Sequence, residues 1–180
     1  MPELIRSFVA VKMPGEAADV LENFLAEIRP LAKIRWVRRS QFHITLKFLG
    51  ENPRDVTEDV IDALTPMKHF EPFAVELSYI GAFPNLNAPK VLWLSGDKGA
   101  AELGHVAKKV NDVLYDSAGL ERDSKKFKAH LTLARLKESC LPENLLRKLG
   151  EVPKISWVCD ELCLMKSDLK PSGPVYSQIL

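Results

Sequence analysis

His43-Ile44-Thr45-Leu46 and His130-Leu131-Thr132-Leu133 are two copies of one tetrad, and their reading decides the fold. The chain holds only four histidines and four threonines. Random scatter would produce two such His-x-Thr pairs roughly a few times in a thousand. Each tetrad lies in a stretch rich in β-formers, 42–49 and 127–134. Side chains alternate across a strand, so His43, Thr45 and Lys47 are predicted on one face and Ile44, Leu46 and Phe48 on the other. His130 and Thr132 likewise oppose Leu131 and Leu133. Each strand therefore packs its aliphatic side on a core and shows a histidine and a hydroxyl on the opposite side.

Outward from these strands the pattern alternates. Residues 5–12 form a first strand. Residues 15–29 form a helix with Ala17, Val20, Leu21, Phe24, Leu25 and Ile28 on one stripe, stopped by Pro30. A strand at 34–37 comes before the first tetrad. A Gly-Glu-Asn-Pro turn at 50–53 and a short helix at 56–64, with Val56, Val60, Ile61 and Leu64 inward, come after it. Strands at 73–80 and 91–94 flank a breaker-rich loop at 81–89. The longest helix covers 98–117, with Leu103, Val106, Ala107, Val110, Val113 and Leu114 on its face and Gly119 just past its end. A helix at 142–149 and strands at 155–165 and 175–179 complete the chain. The succession recurs after about residue 73 and predicts a single α+β domain over 1–180. Two pseudo-symmetric lobes would each carry a mainly antiparallel sheet with helices on its outer face. A central cleft would receive one His-x-Thr strand from each lobe.

Two imidazoles facing one cleft can divide acid and base work, because a pKa near 6.5 lets one stay neutral and the other charged at neutral pH. In-line displacement at phosphorus needs that pair, and two threonine hydroxyls can donate to the non-bridging oxygens. No carboxylate or third histidine stands at ligand spacing beside either tetrad, so a metal reading is weak, and no G-x-S-x-G elbow supports a serine hydrolase. His69 and His105 have no partner motif, and a solvated or structural role is expected for both.

Composition narrows the class. With 180 residues, 46% hydrophobic and 27% charged, the chain can bury a sizeable core and is not a low-complexity disordered segment. Cys140, Cys159 and Cys163 form no paired framework or zinc spacing, so reduced thiols in a cytoplasmic protein are expected. The apolar run at 8–11 is too short for a signal-peptide core, and no later stretch has the length of a membrane span.

At the tetrads the sequence resembles the two-histidine (2H) phosphoesterase superfamily, and specifically the RNA 2′,3′-cyclic phosphodiesterases, or LigT-like 2′-5′ RNA ligases. The resemblance is carried by Arg6-Ser-Phe-Val-Ala-Val11, Trp36-Val37, His43-Ile-Thr-Leu-Lys-Phe-Leu-Gly-Glu51, Pro72-Phe73, Gly81-Ala-Phe-Pro84, Val91-Leu-Trp-Leu94 and Phe127-Lys-Ala-His-Leu-Thr-Leu-Ala-Arg135, with Met165-Lys-Ser167 and Tyr176 near the end. It implies an enzyme without metal or other cofactor that opens a terminal 2′,3′-cyclic phosphate on RNA to a 2′-phosphate. Substrates would be RNA ends or oligonucleotides, tRNA fragments among them, handled by a monomer with no membrane partner. Ligation, the same displacement run backwards, would be secondary. By resemblance His43 is the proton donor to the leaving 3′ oxygen and His130 the base for water, with Thr45, Thr132 and Arg135 binding phosphate. Alternation puts Arg135 on the face opposite His130, so a bulge or the strand end must redirect it. Ala129 stands where relatives commonly have proline. The competing reading is a module of the same fold that binds a nucleotide or RNA end without chemistry.

Net charge is +1, yet it is segregated. Residues 29–47 carry six basic groups (Arg29, Lys33, Arg35, Arg38, Arg39 and Lys47) and no acid. Residues 122–137 carry six more (Arg122, Lys125, Lys126, Lys128, Arg135 and Lys137) against Asp123. Both windows enclose a tetrad, which predicts that they converge on one anionic-substrate cleft; Trp36, Phe42 and Phe127 are near enough in sequence to offer base stacking, with core packing the commoner role for each.

Overall fold

The apolar alternation around both tetrads builds the centre of a large antiparallel sheet in the computed structural model, which describes residues 3–138 and 140–180. Its strands are β1 (Leu4–Lys12), β2 (Arg35–Trp36), β3 (His43–Pro53), β4 (His69–Leu77), β5 (Tyr79–Phe83), β6 (Val91–Ser95), β7 (Leu131–Arg135), β8 (Ile155–Glu161), β9 (Cys163–Lys170) and β10 (Gly173–Gln178). Helices are α1 (Gly15–Ile28), α2 (Arg54–Leu64), α3 (Ala100–Ala118) and α4 (Glu143–Leu149). Seven strands run in the order β10-β9-β1-β3-β7-β6-β5, β2 adds to β7, and β4 and β8 pair separately.

One face of the sheet is the core. Val9, Val11, Ile44, Leu46, Leu92, Leu94, Leu131 and Leu133 pack there with Leu21 and Leu25 of α1, Val60 and Leu64 of α2, and Leu103 and Leu114 of α3. Helices α2 and α3 lie on each other and on β3, while α1 lies on β8. Burying each such leucine is worth about 1.5–3 kcal/mol, which fixes which face of each strand points inward. Two helical stripes differ from expectation by one position. Val20 is exposed while Ala18 is buried, and Thr57 replaces Val56, its hydroxyl donating to the Pro53 carbonyl at 3.0 Å.

The expectation of two lobes with separate sheets is corrected. The strands form one continuous path, narrowest where β3 meets β7 at the single pair Ile44–Leu131. Its two sides are not the two halves of the sequence, because β9 pairs with β1 (Ser7 with Lys166, Phe8 with Met165) and carries β10 beyond it. The predicted strand 155–165 is in fact two, β8 in the small sheet and β9 in the large one. They are separated at the fully buried Leu162, whose N–H donates to the Lys68 carbonyl at 2.9 Å. Strand β7 is shorter than predicted, so His130 sits just before the strand rather than inside it. In place of the turn at 50–53, β3 runs on to Pro53. Gly50 takes φ +72° there, and the strand passes a bulge at Leu49 without Cβ strain.

Candidate active site

Ile44 and Leu131 face each other on the core side, so their neighbours on both strands face the other way. Continuing the antiparallel register by one residue sets His43 across from Thr132 and Thr45 across from His130. The two motifs therefore meet at Ile44 and Leu131, with His43, Thr45, His130 and Thr132 on the side of the sheet away from the core. All four side chains are half-buried.

A bulge at the same motif position turns the chain beyond each tetrad. On β3, Thr45 pairs with Ala10 and Lys47 with Val9, leaving Leu46 as the extra residue. On β7, Thr132 pairs with Trp93 and Ala134 with Leu92, leaving Leu133 extra. An extra residue inverts the alternation beyond it. Arg135 is thereby brought to the histidine face, where simple alternation puts it on the opposite one. The same inversion overturns the expectation for Lys47, which points to the core side and is 3% exposed. There its ammonium donates to Asn111 Oδ1 and the Glu121 carbonyl, both at 2.7 Å, and to Asp123 Oδ1 at 3.0 Å. Phe48 takes its place on the open face, 67% exposed, with its ring centroid 6.2 Å from that of Phe8.

The two imidazoles are held alike. His43 Nδ1 lies 2.6 Å from the Gln41 carbonyl and His130 Nδ1 lies 2.7 Å from the Lys128 carbonyl, in each case the residue two positions earlier. A carbonyl only accepts, so Nδ1 carries the proton and Nε2 is the free nitrogen on both rings. Neutral His43 accepts at Nε2 from the Thr45 hydroxyl, 3.1 Å away. Phe8 supports His43 with centroids 4.8 Å apart, Tyr176 meets it edge-on at 5.6 Å, and Phe83 meets His130 edge-on at 5.2 Å. These walls desolvate the rings. Burial pushes His43 below the usual histidine pKa, the Gln41 carbonyl opposes this, and the nearby His130 adds to the depression. Burial also depresses His130, opposed by the Lys128 carbonyl and reinforced by the charges of Lys128 and Arg135. Arg135 also acts on Tyr176, whose phenol burial pushes up, so this guanidinium reaches both halves of the site.

The basic windows do not converge as a whole. Arg29 is bound to Glu22, Arg39 to Asp19, Arg122 to Asp112 and Asp116, and Lys47 to Asp123. Lys128 does lie over the site, its ammonium 4.4 Å from the Trp93 ring centroid and 5.3 Å from that of Phe83. Phe42 is core, and Trp36 packs on the core with its indole N–H donating to the Ala32 carbonyl, so neither offers stacking. Two further cations, Arg35 of the first basic window and Arg6 of the family resemblance, lie on this face. Arg35 pairs with Arg135 across β2 and β7 and so shares its face, an opposed like-charge pair that is unfavourable by itself. Arg6 shares the face of Phe8 and acts on Tyr176. Tyr176 and Phe8 were visible only as parts of the family resemblance. His69 lies at the start of β4, 3.9 Å from Glu161, and His105 is exposed on α3. Among the described residues no three His, Cys, Asp or Glu side chains gather as a metal-ligand group, and no helix is long and apolar enough to cross a membrane.

Comparison with known proteins bears on the family and the fold. A family model described as the 2′-5′ RNA ligase superfamily matches residues 17–171. The chain is 33% identical over 177 residues to an RNA 2′,3′-cyclic phosphodiesterase of Archaeoglobus fulgidus, covering 97% of this chain and 98% of the relative. It is 35% identical over 149 residues to the protein of the same name from Aeropyrum pernix, covering 81% and 84%. Among solved structures, a Thermus thermophilus protein, TT0787, matches with TM-score 0.77 and 29% identity over 97% of this chain and 95% of that one. Escherichia coli LigT in complex with 3′-AMP matches with TM-score 0.79 and 22% identity over 99% and 97%, a likeness of fold. The chain belongs to the 2′-5′ RNA ligase superfamily.

Proposed function

We infer that this chain, acting as one domain, is an RNA 2′,3′-cyclic phosphodiesterase that opens a terminal cyclic phosphate to a 2′-phosphomonoester without a metal. The carrying observation is the Ile44–Leu131 junction beside two imidazoles held alike through Nδ1, each leaving Nε2 unprotonated, with two hydroxyls next to them. His130 Nε2 takes a proton from water as its oxygen bonds to phosphorus. The bond from phosphorus to the 3′ oxygen breaks, and protonated His43 donates its Nε2 proton to that oxygen. Thr45 and Thr132 donate to the non-bridging oxygens, and Arg135 balances their charge. The anionic phosphodiester itself favours the imidazolium that burial disfavours, so substrate arrival helps charge the acid. His43 is cast as acid by family resemblance, since the two rings are held nearly alike.

Ligation of a 2′-phosphate to an RNA 5′-hydroxyl is the same displacement reversed, and in dilute solution water dominates. RNA ends, tRNA fragments among them, are the substrates. A monomer suffices because one chain supplies both histidines. Free thiols suit the reducing cytoplasm: Cys159 and Cys163 are buried, their pKa values pushed by burial to about 12 and about 11, and Cys140 is unpaired.

An RNA ending in cyclic phosphate, incubated with EDTA, tests the reading. The expected product is the 2′-phosphate, with His43→Ala and His130→Ala each lowering turnover by about 10²–10⁴-fold. A 3′-phosphate product would reverse the acid and base roles. Turnover lost in chelator and restored by added metal would overturn the metal-free mechanism, and binding without product under either condition would leave the binding-module reading.

A further inference from the structure

The histidine face of the sheet continues past the site into an open groove of about 560 Å³. Its lining includes Tyr79, Asp97, Lys126, Phe127 and Lys128. The strand register explains the continuity. Thr132 pairs with Trp93, Trp93 with Gly81, and two residues along β6 Ser95 pairs with Tyr79. Two residues of strand are about 7 Å, so Tyr79 stands one short step beyond the site on the same face. Its ring meets that of Trp93 edge-on at 6.1 Å, while Lys128 spans both regions, lying over Trp93 and holding His130 through its carbonyl.

Three features of this groove call for a ligand. Tyr79 is 42% exposed, a large aromatic left open beside two lysines, and Lys126 is exposed with no acid partner among the described residues. Asp97 is the one acid in the lining, and its carboxylate can accept from a ribose hydroxyl or an exocyclic amine. Trp93 cannot swing to close the groove from Gly81's side, because it already lies flat on that residue, where even an added Cβ would sit 2.3 Å from the ring. An aromatic shelf with flanking cations is the general arrangement for a single nucleic-acid strand.

We propose that this groove binds the nucleotide immediately 5′ of the terminal cyclic-phosphate nucleotide, with its base on Tyr79 and the intervening phosphodiester between Lys126 and Lys128. The assignment rests on the activity inferred above and adds a chain-length requirement: the preferred substrate is single-stranded RNA of two or more nucleotides, not a free cyclic mononucleotide.

Steady-state kinetics on adenosine 2′,3′-cyclic phosphate and on the adenylate dinucleotide ending in the same group test this directly. The parent protein should show the higher kcat/KM on the dinucleotide. Tyr79→Ala should lower kcat/KM on the dinucleotide about fivefold or more. Lys126→Ala should lower it less and reduce the slope of its logarithm against log salt by about 0.7. Both variants should turn over the mononucleotide as the parent does. Equal kcat/KM on the two substrates in the parent, or parallel losses on both in the variants, overturns the groove assignment and leaves the activity standing. Absence of turnover on both substrates refutes the activity itself, and the groove assignment with it.

Discussion

Replacing Lys47 with methionine removes a buried ammonium but keeps an unbranched side chain of similar length, so it opens no large cavity. The balance turns on what the ammonium leaves behind. A hydrogen bond to a charged group is worth about 1.5–3 kcal/mol net, and Lys47 makes three. Against that, the variant escapes the desolvation of a cation that is 3% exposed, itself several kcal/mol. Asn111 Oδ1 keeps a partner, because the Asp123 N–H donates to it at 2.9 Å. Asp123 is 46% exposed and rehydrates, for about 0–1 kcal/mol. The Glu121 carbonyl loses its donor, for about 1–3 kcal/mol. The expected loss is thus about 1–4 kcal/mol, read as a lower midpoint in urea at unchanged m. Asp123→Asn, which leaves the other two bonds, should lose about 1 kcal/mol. The kinetic constants on a cyclic mononucleotide should hold. A stable Lys47→Met protein with a raised KM and a weakened salt dependence would refute the reasoning, because that is the signature of a lysine in the cleft. A variant more stable than the parent would show that desolvation outweighs the three bonds.

Burial depresses both imidazoles, so kcat/KM, which reports the free protein, should peak below pH 6.5, while kcat, measured with the anion bound, should peak at higher pH; coincident profiles would contradict this. The same depression means that the unfolded chain binds more protons below pH 6.5, so stability should fall as pH drops through that window, and less steeply in a His43→Gln, His130→Gln double variant. Arg135→Ala should lower kcat/KM about 10–100-fold without moving the urea midpoint, since the side chain is exposed. Gly81→Ala places a methyl 2.3–2.9 Å from three atoms of the Trp93 ring and should destabilise by about 1–3 kcal/mol. It should also raise KM, through the displaced Trp93 and the Lys128 above it.

Much of the site was legible because it is written in local periodicity. His43 and Thr45 are two residues apart on a strand whose aliphatic partners are buried, and the same holds for His130 and Thr132, so one period-2 argument placed four side chains on the open face. The helices α1, α2 and α3 were legible for the same reason. What failed lay where a neighbour in space, distant in sequence, decides the outcome. The run 155–165 alternates without a visible break, yet Leu162 is captured by the carbonyl of Lys68 and the strand divides between two sheets. The basic windows looked poor in acids only along the chain, and Asp19, Glu22 and Asp112 arrive from helices.

The sequence by itself determined that two identical His-x-Thr strands each had a core side and an open side, and that twelve basic groups surrounded them. Tertiary structure decided which of those groups belong to the site. A strand's alternation is a property of its own backbone, but a bulge exists only relative to the partner strand. The extra residues Leu46 and Leu133 arise from pairing with β1 and β6, and each reverses the side chains that follow it, on β3 as far as the second bulge at Leu49. For that reason Arg135 faces the histidines while Lys47, the cation nearest the first tetrad, is buried on the other side of the sheet.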